Sequence, residues 1–422
     1  MNCGNQLLSA LNISYIMWTI VSETLNCRPL REGEIDACPC MGENILKTTI
    51  KSIAAAAMFA AATPAFAGGV TVAEEGESKL KLEALMFLNT YHQKADTITA
   101  AGTTTTKSIG MAVDRAYFTA KYFFNDDWMM RITLDAGNDQ SLGGKKQNVF
   151  LKAAYVEGKL LGDAAVLRVG QSHTPWIDYE QGLWKHRYVS QVMTDRYKFD
   201  DSFDLGLGLK GTLADGMIKY FVTETNGSGY ADAKRTAHLD LNARIGIYPV
   251  EGLTLDFQFR DGRRATRVST VSRGIKTSLM QAMLTYGTDD FRVGGNYVAN
   301  KDKAVGTTTA TISHGGAVSS GYGFNTLVAG DQVKSNAYGL WAWAKLPANF
   351  GVFARYENMN NKLNAGAVKE KMTRYMGGIE YTEIKGVKFA LVVDTNKLTN
   401  RAGVTTDSRK DTRFGLYSEV KL

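Results

Sequence analysis

From Lys79 to the last residue, apolar and polar side chains alternate in short runs, and this pattern constrains the fold more than any other feature of the chain. In Leu253-Thr-Leu255-Asp-Phe257-Gln-Phe259-Arg260 every odd position is apolar and every even one polar. Arg413-Phe-Gly-Leu-Tyr-Ser-Glu-Val-Lys-Leu422 carries the alternation to the C-terminus. Successive side chains of a strand point to opposite faces, so each run specifies a strand with one apolar and one polar face. On a helix the same apolar residues would be scattered all round the cylinder.

Turn signals divide the runs into sixteen strands. They are predicted near 79–93, 108–124, 127–138, 146–158, 164–172, 204–213, 217–226, 237–249, 252–262, 275–287, 290–300, 332–346, 349–360, 370–382, 386–397 and 408–422. Short turns such as Asn125-Asp-Asp127, Ala214-Asp-Gly216 and Leu346-Pro-Ala-Asn349 alternate with longer polar connections, the longest being 173–203 and 301–331. A secreted β-sandwich has no reason to segregate turns from loops in this way. The alternation is the signature of an all-β fold, a 16-stranded antiparallel transmembrane β-barrel with short periplasmic turns and long external loops. Lipid cannot hydrogen-bond a free strand edge, so a sheet survives there only when closed.

Other features agree. No run of roughly 18 uninterrupted apolar residues exists, which excludes a helical membrane protein, and a hydrophobic content of 44% excludes a disordered chain. Pro249 and Pro347 fall in short turns and Pro175 in a loop, where no ladder hydrogen bond is lost. Tyr122, Phe123, Trp128, Tyr155, Tyr248, Tyr286 and Tyr381 sit near strand ends, as interfacial girdles require.

The N-terminal part reads differently. Basic residues at Lys47 and Lys51, the apolar run Ile53–Ala62 and the Ala65-Phe-Ala67 end are the three parts of a secretory signal peptide. Residues 46–67 are therefore expected to be the signal peptide and 68–422 the mature barrel. Residues 1–45 have no role upstream of it and are expected to come from an over-extended gene start. All four cysteines (Cys3, Cys27, Cys38 and Cys40) lie in that first segment, and the remaining chain is thiol-free, as suits passage through an oxidising compartment.

If the apolar faces meet lipid, the other faces line the lumen. On that face basic residues outnumber carboxylates, and Arg115, Arg131, Lys152, Arg168, Lys210, Arg244 and Arg260 are the candidate pore wall. A sixteen-stranded barrel is wide enough for water, and a basic lining favours anions. The connection 173–203 is too long for a hairpin and rich in aromatics and charge. It is predicted to fold inward and narrow the pore, with Trp176, Lys185, Arg187, Arg196 and Lys198 at the constriction.

Motifs that resemble chemistry do not survive their context. Gly206-Leu-Gly208-Leu-Lys-Gly211 matches a dinucleotide fingerprint, but it lies inside an alternating strand with no helix after it. Small residues facing the incoming loop account better for these glycines. The histidines form no close metal pair and no nucleophile motif accompanies them. No enzyme, cofactor or metal site is expected.

The stretches Arg168-Val-Gly-Gln171, Pro175-Trp176, Asp204-Leu-Gly206 and Thr225-Asn-Gly-Ser-Gly229 resemble the phosphate-selective porin O/P family. The resemblance implies a trimeric outer-membrane porin with a constricted, anion-preferring channel. An arginine ladder of the kind that marks phosphate-selective members has no residue-by-residue match here, and the chain ends Val420-Lys-Leu422 rather than in an aromatic. The expected function is passive diffusion of small hydrophilic, anionic solutes through a water-filled pore in the bacterial outer membrane. Alternatives are a channel selective for phosphate, sugars or carboxylates, with Trp176 and Trp184 as a stacking platform for sugars, and a barrel-embedded enzyme or adhesin. The expected partners are the lipid bilayer, the barrel assembly machinery and two further copies of the chain, and not nucleic acid.

Overall fold

The alternating segments pair edge to edge in chain order until the last meets the first. The structure, a computed structural model, describes residues 69–137, 148–230, 237–267, 273–305, 329–364, 369–400 and 404–422. The expected signal peptide and the segment before it lie outside the described residues, as does most of 301–331. The strands are β1 (Val70–Glu75), β2 (Ser78–Thr99), β3 (Gly102–Phe123), β4 (Trp128–Gly137), β5 (Asn148–Lys159), β6 (Val166–His173), β7 (Phe203–Leu213), β8 (Ile218–Thr225) and β9 (Asp240–Ile247). They continue with β10 (Leu253–Arg267), β11 (Arg273–Gly287), β12 (Phe291–Ala304), β13 (Gln332–Lys345), β14 (Phe350–Leu363), β15 (Glu370–Tyr381), β16 (Val387–Thr399) and β17 (Ser408–Lys421).

Strands β2 to β17 form a closed antiparallel ring of sixteen. The seam is the pairing of β17 with β2, for example Leu416 opposite Thr90, while β17 also pairs with β16. The short strand β1 was not foreseen. It prolongs the seam past the end of β17 by pairing Val70 with Leu82 and Glu75 with Ser78, and Gly69 N–H donates to the Leu422 carbonyl at 3.1 Å.

Each of the sixteen predicted strands has its counterpart, but several are longer at the loop end. β2 and β3 run 22 residues each and meet at Ala100-Ala101, where a longer polar connection was expected. Thr103 to Thr106 carry no hydropathy alternation, yet β-branched residues favour the pleated backbone. β12 likewise runs on to Ala304 through Lys301-Asp-Lys303. Hydropathy alternation marks only the part of a strand that crosses lipid, so the portion standing in water is invisible to it.

Three irregularities interrupt the ring, one of them at Arg264/Arg267 of β10, near its loop end. The register also shifts at Phe87/Leu88 of β2, opposite Asp114, and at Thr133/Leu134 of β4, opposite Lys152. A bulge re-aims the side chains beside it, and Lys152 and its neighbour Ala153 are both buried.

Outward positions such as Leu207, Leu241, Phe257, Leu284, Val293 and Leu340 are exposed. The buried aromatic core lies inside the ring, between the wall and the segment 174–202. That segment carries helices α1 (Ile177–Trp184) and α2 (Met193–Arg196). Trp176, Ile177, Trp184 and Tyr188 pack against Trp341, Trp343, Phe353, Met376 and Tyr417. Met193, Tyr197 and Phe199 pack against Leu279, Val298, Met359 and Leu398. Burying side chains of this size contributes about 1.5–3 kcal/mol each, so the segment is anchored by its own hydrophobic residues.

Of the aromatics expected at the girdles, Tyr122, Trp128, Tyr286 and Tyr381 lie on the outward face. Three do not. Phe123 faces inward beneath Lys81, Tyr155 is buried against Ala153 and Phe203, and the Tyr248 hydroxyl reaches Tyr179 at 3.0 Å. Proximity to a strand end does not fix the face; odd or even position within the strand does.

Candidate channel lumen

The register places the seven candidate wall residues on the inward face, and most of them meet a carboxylate there. Arg244 is 2.7 Å from Asp256, and Arg260 is 2.8 Å from both Asp200 and Asp240. Arg168 and Lys210 share Glu157. Arg115 and Lys152 share Asp135, at 3.3 and 3.1 Å. Arg131 donates to Thr133 Oγ1 at 3.0 Å. The basic excess read from the sequence therefore does not become a free positive lining: cross-strand pairs absorb most of it.

These pairs serve different purposes on the two sides of the barrel. On the side of β9 to β16 they tie the 174–202 segment to the wall. Arg355 lies 2.9 Å from Glu357 and 3.6 Å from Glu180, and it donates to the Gln191 carbonyl. Arg374 bridges Glu357 and Asp394 and donates to Ser190 Oγ. Tyr197 donates to Glu357, Tyr188 to Glu380 at 2.6 Å and Tyr179 to Asp256 at 2.9 Å. Charges buried this deeply persist only when paired and hydrogen-bonded.

On the other side a gap of about 210 Å³ separates the segment from β2 to β5. Arg131, Lys152, Tyr117 and Glu83 face it from the wall, Arg187, Asp178 and Asp195 from the segment. Lys152 is held in place from several directions. Its ammonium contacts Tyr117 Oη at 3.1 Å and lies 4.6 Å from that ring's centre. The bulge carbonyls of Leu151 and Lys152 accept hydrogen bonds from Gln171 Nε2 at 2.8 and 3.0 Å. Gln171 of the Arg168-Val-Gly-Gln171 stretch is thus a positioning residue for the basic wall.

The five residues assigned to a constriction separate into three groups. Arg187 alone lines the gap, 5.7 Å from the centre of the Phe87 ring. Lys185 and Lys198 are exposed, the first with its ammonium 4.3 Å from the centre of a Trp343 ring, the second 3.6 Å from Asp195. Partial desolvation against the Trp343 ring, and then the neighbouring Lys345, lowers the pKa of Lys185. Trp176 and Arg196 do not reach the gap. Trp176 is fully buried and its indole N–H donates to Glu180 at 2.7 Å, while Arg196 is buried 4.0 Å from Asp394, where desolvation lowers its pKa. Trp184 is also fully buried, edge-on to Trp341 and Phe353. Neither tryptophan is available to stack on a solute; their size made them anchors.

Strand β13 turns Trp341 and Trp343 inward, and Trp343 Nε1 donates to the Leu183 carbonyl at 2.9 Å. The glycines of the dinucleotide-like motif are explained by the wall and not by the incoming segment. A Cβ on Gly208 would stand 2.9 Å from the Phe221 ring, and one on Gly206 would strike the Glu224 carbonyl. Among the described residues no three metal-ligating side chains come together.

A closed ring of sixteen antiparallel strands, apolar outside and polar inside, defines a transmembrane β-barrel of the bacterial outer membrane. No protein-family profile matches the sequence, and no curated protein matches it. Solved structures do. The outer membrane channel DcaP of Acinetobacter baumannii aligns at 13% identity over 84% of this chain and all of that one, with a TM-score of 0.57. An anion-selective porin from Comamonas acidovorans aligns at 13% identity over 82% and 100%, TM-score 0.54. The trimer form of OmpT, an outer membrane protein of Vibrio cholerae, aligns at 13% over 82% and 100%, TM-score 0.53. The chain shares the barrel fold of these outer-membrane proteins.

Proposed function

We propose that the protein is a porin, a water-filled channel for passive diffusion of small hydrophilic solutes, with a preference for anions set at the gap between the 174–202 segment and β2 to β5. The observation that carries this reading is the placement of Arg131, Lys152 and Arg187 on one opening, facing Glu83, Asp178 and Asp195. Two of those carboxylates already have a cation beside them, Glu83 with Lys121 at 2.7 Å and Asp195 with Lys198 at 3.6 Å. A passing solute therefore meets a modest positive excess.

Arg131 and Arg187 also suit a small carboxylate or phosphate, since the planar guanidinium matches the geometry of either anion. A sugar-selective channel loses its support with the burial of Trp176 and Trp184. Assembly as a homotrimer is part of this reading and finds a parallel in the trimer form of OmpT. The test is the reversal potential of purified protein in planar bilayers under a salt gradient. A potential of anionic sign is expected; a cationic one overturns the preference, and absence of conductance overturns the pore.

A further inference from the structure

The inward basic residues are largely paired, yet the chain carries a formal charge of +7. Much of the unpaired charge stands on the outer surface, at the loop end of the strands. Lys301, Lys334, Lys362, Lys371, Lys397 and Lys410 occupy outward positions of β12 to β17, and all but the half-buried Lys362 are exposed. The register sets several directly opposite one another: Lys301 opposite Lys334, Lys334 opposite Lys362, and Lys397 opposite Lys410. Among the described residues none of these six ammonium groups forms an ion pair within 4.0 Å, and only Lys410 has a carboxylate, Asp96 of β2, directly opposite it in the ladder. Lys276 of β11, by contrast, has Asp261 at 3.8 Å.

Like charges directly opposed across a ladder are destabilising. Three adjacent strands repeat the opposition, so an anion between the lysines would relieve it. Just below lies a row of tyrosines on the same face, Tyr297, Tyr338, Tyr356 and Tyr375. The Tyr338 and Tyr356 hydroxyls are 3.4 Å apart and the rings of Tyr356 and Tyr375 are 5.2 Å apart. Such a row marks the level of the lipid interface.

Lys301, Lys334 and Lys371 each lie four residues beyond a tyrosine of the row, about 13 Å along the strand and about 10 Å along the membrane normal at a tilt near 40°. A lysine stem is flexible enough to bring its ammonium back to headgroup level. Below the tyrosines, Ala342, Ala354 and Gly377 stand opposite one another and floor an apolar trough of about 1020 Å³, open to the acyl chains.

We propose that this face of β12 to β17 binds a lipid of the outer leaflet whose headgroup carries several phosphates, the phosphates bridging the opposed lysines and an acyl chain lying in the trough. The site is separate from the lumen and stands whether or not the channel prefers anions.

Folded full-length protein in detergent, titrated with bisphosphorylated lipid A and followed by native mass spectrometry, tests this. The comparison lipids are the monophosphorylated form and a neutral glycolipid of matching acyl content. Affinity is expected to fall with each phosphate removed, and Lys334→Ala/Lys397→Ala is expected to weaken bisphosphorylated binding roughly 10- to 30-fold, whereas Lys334→Arg/Lys397→Arg retains it. Unchanged single-channel conductance reports that the variants are folded. Equal binding by the alanine variant, equal binding of the neutral lipid, or displacement by equimolar inorganic phosphate would each overturn the proposal. If the alanine variant does not fold, the three-lipid comparison on the unaltered protein decides alone.

Discussion

Arg131 and Arg187 line one gap from two sides, the first on the wall and the second on the inserted segment. A unit charge about 7 Å from a passing ion in water is worth about 0.6 kcal/mol. Arg187→Glu reverses one such charge, which changes the energy by about 1.2 kcal/mol for an anion and by the opposite amount for a cation, so the anion-to-cation permeability ratio should shift up to about 60-fold toward cations at low salt, less as salt screens it. Reversal potentials of variant and unaltered protein check this, and an unchanged ratio removes Arg187 from the pathway. Glu180 makes a pH prediction. Burial raises its pKa to about 7, against the pull of Arg355, from an ordinary 4.5. An acid whose pKa is higher in the folded state adds stability that is complete below about 4.5 and is lost as pH rises through 7, at most about 3 kcal/mol. The melting temperature should therefore fall between pH 5 and pH 8, and in Glu180→Gln this part of the fall should vanish. Parallel pH profiles would show that Glu180 stays charged. The residue types of the lumen were legible in the sequence because alternation assigns a face. Their pairing was not, because Arg244 meets Asp256 only through the register of neighbouring strands, and Lys152 turns inward through a bulge that no hydropathy pattern records.

Among the elements, the segment 174–202 combines a long chain, fully buried aromatics and ties to most of the wall from β9 to β16. Its length and composition announced an inserted loop, but not which side chains face water. Trp176 and Arg196 were drawn to the wall by the desolvation of an indole and by Asp394, and only Arg187 was left at the opening. Deleting 180–198 makes the barrel itself the narrowest cross-section, wide enough for a water channel, so single-channel conductance should rise severalfold. Unchanged conductance would mean that the segment does not set the passage. Because that deletion also strips partners from Glu357 and Arg374, a smaller change gives an independent reading. Trp184→Ala removes a fully buried indole from between Trp341 and Phe353, at a cost of about 3–5 kcal/mol. It should expose 177–203 to limited proteolysis while the strands stay protected. A segment as resistant as in the unaltered protein would show that the tryptophan is not its anchor.

For the whole molecule, the decisive fact is closure. Hydropathy alternation revealed sixteen strands and their faces, because lipid imposes an apolar outer side on every one. It said nothing of β1, whose six residues are all exposed and pair only beyond the end of β17. The two terminal elements therefore differ in what they protect. Removing Leu416–Leu422 deletes the pairs from Leu416 opposite Thr90 to Lys421 opposite Leu85, together with the matching half of the β16 ladder. Each backbone group so freed within the bilayer costs several kcal/mol, more than the margin of about 5–15 kcal/mol by which a typical domain is stable. The truncated chain should lose the compact, heat-modifiable band that a folded barrel gives on cold gel electrophoresis. Removing Val70–Glu75 leaves the ring of sixteen intact, and that chain should keep the folded band with at most a lower melting temperature. A folded band from the C-terminal truncation, or none from the β1 deletion, would show that the barrel does not close where β17 meets β2.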